Sequence, residues 1–181
     1  MNLINKIRYR ALHKALKQFQ ETKGPAKLPS MQRISSVILI LDEIDKDALR
    51  NIESTVKSLF STSRCGFIVL CEQMSNEILQ SDLYNEVTPK DFGFMSVLKP
   101  EKHDYLKKLP SSTMIINLTT KLTDLSDYLC TLPKSDFRIT FNKNGHTGIY
   151  DLVIENSQNA DPLSNIHVLC NYLKALTGEN N

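Results

Sequence analysis

The chain has 181 residues, 41% apolar and 23% charged, ordinary proportions for a water-soluble globular protein and enough chain for one core without disulfide or metal staples. Twenty-two Lys and Arg against twenty Asp and Glu leave a net charge of +2, too balanced for a domain that binds nucleic acid over its whole surface. The longest purely apolar run, Val37 to Leu41, is far short of the roughly 18 residues of a membrane-spanning helix, so no transmembrane segment is expected.

The charge is unevenly placed. Residues 1–33 carry eight basic residues and one acid (8 − 1 = +7), whereas residues 34–181 carry fourteen and nineteen (14 − 19 = −5). The first segment reads as a basic N-terminal helix and connector, and residues 34–181 as a single α/β domain. Leu3, Ile4, Ile7, Ala11, Ala15 and Phe19 recur at three- and four-residue spacing along one helical stripe. Gly24-Pro25 and Pro29-Ser30 then break the helix.

From Val37 onward, short apolar strands alternate with polar helices, the pattern of a layered α/β fold. Val37–Leu41 is the first strand. Asp45 caps the next helix, whose Leu49, Ile52, Val56 and Leu59 face a sheet, and Phe67–Leu70 is the second strand. Such a βαβ unit makes its two strands parallel. The stretch from Glu72 to Ser112 is weakly periodic; within it, Thr88-Pro89-Lys90-Asp91 starts a short helix and Lys99–Lys108 suggests another. Met114–Leu118 is a strand, Leu125–Leu132 a brief helix ended by Pro133, and Phe137–Phe141 a strand. Asn142-Lys143-Asn144-Gly145 has turn composition, so Tyr150–Ile154 is expected to pair with the preceding strand as an edge hairpin. Asp161-Pro162 opens a final helix whose buried stripe is Leu163, Ile166, Leu169, Leu173 and Leu176, with Gly178 at its end. The overall expectation is three layers around a mostly parallel sheet of five or six strands.

Candidate chemistry centres on Asp42, Glu43 and Asp45, just beyond the first strand, because open α/β sheets bind ligands at their carboxyl edge. Converging there, these acids could hold magnesium with a substrate phosphate; the plain alternative is that they cap and neutralise the start of a helix. Asn117, Thr119 and Thr120 end a later strand and complete the candidate ligand-binding set. They lack the second aspartate of a phosphoacceptor site, and Glu43-Ile44-Asp45-Lys46-Asp47 lacks the Asp-x-Asp-x-Thr of haloacid-dehalogenase-like phosphatases.

Other chemistries find less support. Residues 41–50 hold no glycine for a dinucleotide pyrophosphate, and Gly145 and Gly148 flank His146 in the presumed turn. No Gly-x-Ser-x-Gly elbow exists. His167 and Cys170 share a helix face, but two ligands do not make a zinc site. No catalytic residue, metal or cofactor is therefore assigned. Cys65, Cys71, Cys130 and Cys170 lack the two-residue spacing of metal knuckles and read as buried thiols. With no secretory-type apolar stretch near Met1, a cytoplasmic location follows as the expectation. Lys6, Arg10, Lys14 and Lys17 line the polar side of the first helix, where they could meet anionic lipid, RNA or a protein partner, or stay solvated.

The order of segments resembles a bacterial family of uncharacterised small α/β proteins, a domain of unknown function. The resemblance is carried by Thr88-Pro89-Lys90-Asp91-Phe92, Met114-Ile115-Ile116-Asn117-Leu118, Pro133-Lys134-Ser135-Asp136-Phe137-Arg138-Ile139, Tyr150-Asp151-Leu152-Val153-Ile154 and the final helix. It departs at Thr113 and Thr140, where members tend to have Asp and Gly. It implies a Rossmann-like sheet in a cytoplasmic protein and brings no reaction. The leading functional expectation is a non-catalytic ligand-binding or protein-interaction domain. The alternatives are a nucleotide- or phosphate-dependent enzyme at the carboxyl edge, and docking to anionic lipid or RNA through the basic N-terminal helix.

Overall fold

A computed structural model describes residues 3–73, 84–94, 97–120, 123–141, 148–155 and 161–178. The apolar runs become β1 (Ser36–Asp42), β2 (Arg64–Leu70), β4 (Ser112–Asn117) and β5 (Ser135–Thr140), all nearly wholly buried. Burial on both faces explains why these segments are continuously apolar rather than alternating. Two shorter strands, β3 (Tyr84–Val87) and β6 (Leu152–Val153), stand at the edges. The strand order is β3-β2-β1-β4-β5-β6 and every neighbouring pair is parallel. This is the order of a doubly wound sheet, whose chain direction across the sheet reverses between β1 and β4.

Helices cover both faces. On one lie α2 (Lys46–Leu59) and α5 (Pro162–Thr177), which bury Leu49, Ile52, Val56, Ile166, Leu169 and Leu173 against the odd-numbered side chains of β1 and β2. Asp45 starts α2 by accepting the Ala48 N–H at 2.8 Å. Asp161 starts α5 by accepting from Leu163 and Ser164, and Gly178 ends it at φ 72°, a left-handed turn that a side chain would strain. On the other face lie α1 (Leu3–Thr22), α3 (Pro100–Lys107) and α4 (Thr123–Cys130), over Ile38, Ile40, Ile68 and Ile115. Between β3 and α3, Pro89–Asp91 forms a single 3-10 turn; Asp91 accepts both the backbone N–H and the hydroxyl of Thr88.

Three sequence expectations are corrected. The expected hairpin is absent: β5 and β6 run parallel, with Asp151 N–H donating to Arg138 O at 2.8 Å and Ile154 N–H to Thr140 O at 2.9 Å. The chain between these strands is long enough to return to the amino edge of the sheet, which a tight hairpin does not do. The proposed turn at residues 142–145 lies outside the described residues. Second, Leu176 is 54% exposed, one turn past the part of α5 that meets the sheet. Third, the first helix turns Leu12 and Leu16 inward, at 7% and 1% exposure, with Ala15 and Phe19 beside them.

That rotation has a structural purpose. Among the described residues no crossover helix lies between β5 and β6 to cover the α1 face of the sheet at that end. Helix α1 covers it instead: it packs against α4, and Phe19 lies over the Arg138 guanidinium of β5, 4.7 Å from its ring centroid. Lys23, just past its end, meets the Asp151 carboxylate at 2.5 Å and donates to Ile149 O at 2.8 Å.

Candidate functional site

In a doubly wound sheet the ligand crevice opens where the order reverses, beyond the carboxyl ends of β1 and β4. The sequence places Asp42 at the end of β1 and Thr119-Thr120 just after β4. Asp42 Oδ2 accepts both the Thr120 backbone N–H at 2.8 Å and its hydroxyl at 3.0 Å. Below this bridge, Leu118 N–H donates to Ile40 O at 2.9 Å, which continues the ladder beyond the last strand residue. The mouth of the crevice is thereby laced together by protein groups.

The neighbouring acids face elsewhere. Glu43 is exposed and accepts the Glu72 N–H at 3.3 Å, toward the end of β2, while Asp45 is spent on the cap of α2. Among the described residues, no three of His, Cys, Asp and Glu are grouped to hold a metal ion. Of the six candidate residues, the structure unites Asp42 with Thr120, and separately Asn117 with Thr119; it leaves Glu43 and Asp45 apart.

Asn117 and Thr119 belong to a buried polar network beneath the edge. Asn117 Oδ1 accepts from the Thr119 N–H at 3.1 Å and hydroxyl at 2.7 Å. Its amide donates to Ser126 Oγ at 3.2 Å and to the Tyr150 hydroxyl at 2.6 Å, and that hydroxyl donates to Asp127. Asn117, Ser126 and Asp127 are at most 1% exposed. Burial, with Cys130 and Asp127 beside it, holds the Tyr150 hydroxyl far above its ordinary pKa, so it stays a proton donor. The network ties β4, α4 and the segment leading into β6 together. Sequence reading missed Ser126, Asp127 and Tyr150, and only the Ser126-Asp127 pair between Leu125 and Tyr128-Leu129 signalled it.

All four thiols are buried and unpaired by disulfides. Burial pushes Cys65 and Cys130 up to about 12 and Cys71 to about 11, from an ordinary value of 9.0. None is a nucleophile near neutrality. A folded pKa raised this way stabilises the native state below pH 9, and that contribution is lost as pH climbs from 9 toward 11–12. Native protein at pH 8 should therefore react with a thiol reagent roughly a hundredfold more slowly than protein in denaturant, and its stability should fall above pH 9. Rapid native labelling of any one cysteine would show an activated thiol.

On the outer side of α1, Arg10 and Lys14 are exposed, and Lys17 pairs with Glu21 at 3.8 Å. Lys6 has no side-chain placement among the described residues.

Fold and site together define a doubly wound α/β protein whose switch-point edge is bridged by Asp42 and Thr120. The chain belongs to a family of unknown function, DUF6913, whose family model matches residues 5–176. No curated protein and no solved structure matches it. No helix among the described residues is long and apolar enough to cross a membrane.

Proposed function

We propose that this protein is a non-catalytic binding or protein-interaction module. The supporting observation is the Asp42–Thr120 bridge: at the position where this fold most often does chemistry, the available carboxylate already accepts two hydrogen bonds from the facing loop. An enzyme using Asp42 for magnesium or phosphate would first have to break that bridge. The buried free thiols favour a reducing compartment, and we assign the protein to the cytoplasm on that ground.

Asp42→Ala tests the reading. If the carboxylate is structural, the variant loses about 1–3 kcal/mol of stability in urea titrations, and neither it nor the parent hydrolyses nucleotides or phosphate esters with magnesium. Magnesium-dependent turnover by the parent that disappears in a folded Asp42→Ala variant overturns it.

A further inference from the structure

A concavity of a different kind lies at the opposite edge of the sheet. A groove of about 1150 Å³ runs between the α1–β1 connector and the amino ends of β4 and β5. Among its described lining residues are Lys23, Lys27, Arg33, Lys134 and Arg138, against a single acid, Asp136. Two of these cations are already used: Lys23 by Asp151, and buried Arg138 by the carbonyls of Cys130, Ser135 and Pro133. Lys27, Arg33 and Lys134 are different. All three are exposed, and none has an ion-pair partner among the described residues. None stands in the last turn of an α-helix, where a cation would offset the helix dipole.

We propose that this groove binds an extended acidic segment of a partner polypeptide; the assignment rests on reading the protein as a binding module. The groove is open and exceeds the ~300–1000 Å³ typical of small-molecule pockets, which suits a chain lying along it. Gly24, Ala26, Lys27 and Leu28 form one wall without regular secondary structure, and their backbone N–H groups are donated to no described residue. They can pair with the carbonyls of an extended peptide while the three cations meet its carboxylates. Pro25 and Pro29 restrict this wall, so little freedom is lost on binding. A single-stranded nucleic acid would call for aromatic stacking surfaces. Among the described lining residues Phe19 is the only aromatic, and a face of its ring is taken by Arg138.

The test uses the full chain and a fluorescein-labelled synthetic peptide of alternating Glu and Gly, followed by anisotropy at low salt. Binding should weaken as salt rises, and each of Lys27→Glu, Arg33→Glu and Lys134→Glu should reduce affinity roughly threefold or more, with the triple variant losing it. Arg10→Glu with Lys14→Glu, on the outer side of α1, should bind like the parent. Amide chemical-shift changes should fall on residues 24–33 and 134–136. Absence of binding, equal affinity in the triple variant, or tighter binding of a poly-uridine RNA that is lost in the same variants would each overturn the ligand assignment. Those failures differ from failure of the underlying function, which shows as turnover in the phosphate-ester assay whatever the peptide does.

Discussion

Arg138→Ala is expected to lower the unfolding free energy by about 3–5 kcal/mol, a large part of the ~5–15 kcal/mol that holds a domain of this size together. The side chain is 5% exposed, and its guanidinium donates to Cys130 O at 3.0 Å, Ser135 O at 3.1 Å and Pro133 O at 3.0 Å. Those carbonyls belong to the end of α4, the turn after it and the first residue of β5. Removing the fork leaves buried acceptors unsatisfied and strips the cation from beneath Phe19. Burial lowers the guanidinium pKa from its usual 12.5, yet the group stays charged at every ordinary pH. Arg138→Lys should recover little, because one ammonium cannot reproduce three donors fixed in a plane. Urea titration of both variants decides the matter: a lysine variant as stable as the parent would mean that charge alone matters at this position.

The βαβ start and the last helix were legible because each carried several agreeing signals. Asp45 as cap, the Leu49-Ile52-Val56 stripe and Asp161-Pro162 with Gly178 all depend on neighbours in sequence, and the structure uses each as the pattern implies. Strand β3 was not legible. Tyr84-Asn85-Glu86-Val87 is short and half polar, and at the sheet edge only alternate residues, Asn85 and Val87, are fully buried, so no continuous apolar run marks it. The hairpin expectation gave weight to a turn composition and too little to the eight residues between the expected strands, more than hairpin loops usually span.

The candidate site divides along the same line. Asp42 and Thr120 sit at strand ends, and parallel order alone brings them to one edge. Whether that edge is open depends on which loop amides find the carboxylate, a contact across 78 residues that no local pattern encodes. The buried network was equally hidden, because Tyr150 lies 33 residues from Asn117 and reads as an ordinary strand aromatic. Arg138 breaks the apolar pattern of β5 and could have been noticed; a buried Arg in a core strand requires local carbonyl acceptors.

The most severe effect should follow from deleting residues 1–23. A basic arm attached to a finished domain could be removed with little loss, but Leu12 and Leu16 are as buried as the strands they cover. Each withdraws roughly 1.5–3 kcal/mol of burial, before Phe19, Ala15 and the Lys23–Asp151 pair are counted. The loss, about 5 kcal/mol or more, is comparable with the total stability, and it uncovers Ile149, Tyr150 and Arg138 together. The truncated chain should show no cooperative thermal transition and should expose its thiols to labelling. A transition within a few degrees of the parent's would mean that α1 is separable after all. The same reasoning determines how the cations of α1 must be tested. Deletion would abolish any binding by unfolding the protein, so the part played by Arg10 and Lys14 on an anionic surface has to be read from Arg10→Glu with Lys14→Glu. Both side chains are exposed, their reversal leaves the buried stripe intact, and vesicle or RNA binding unchanged by it would assign them to solvation alone.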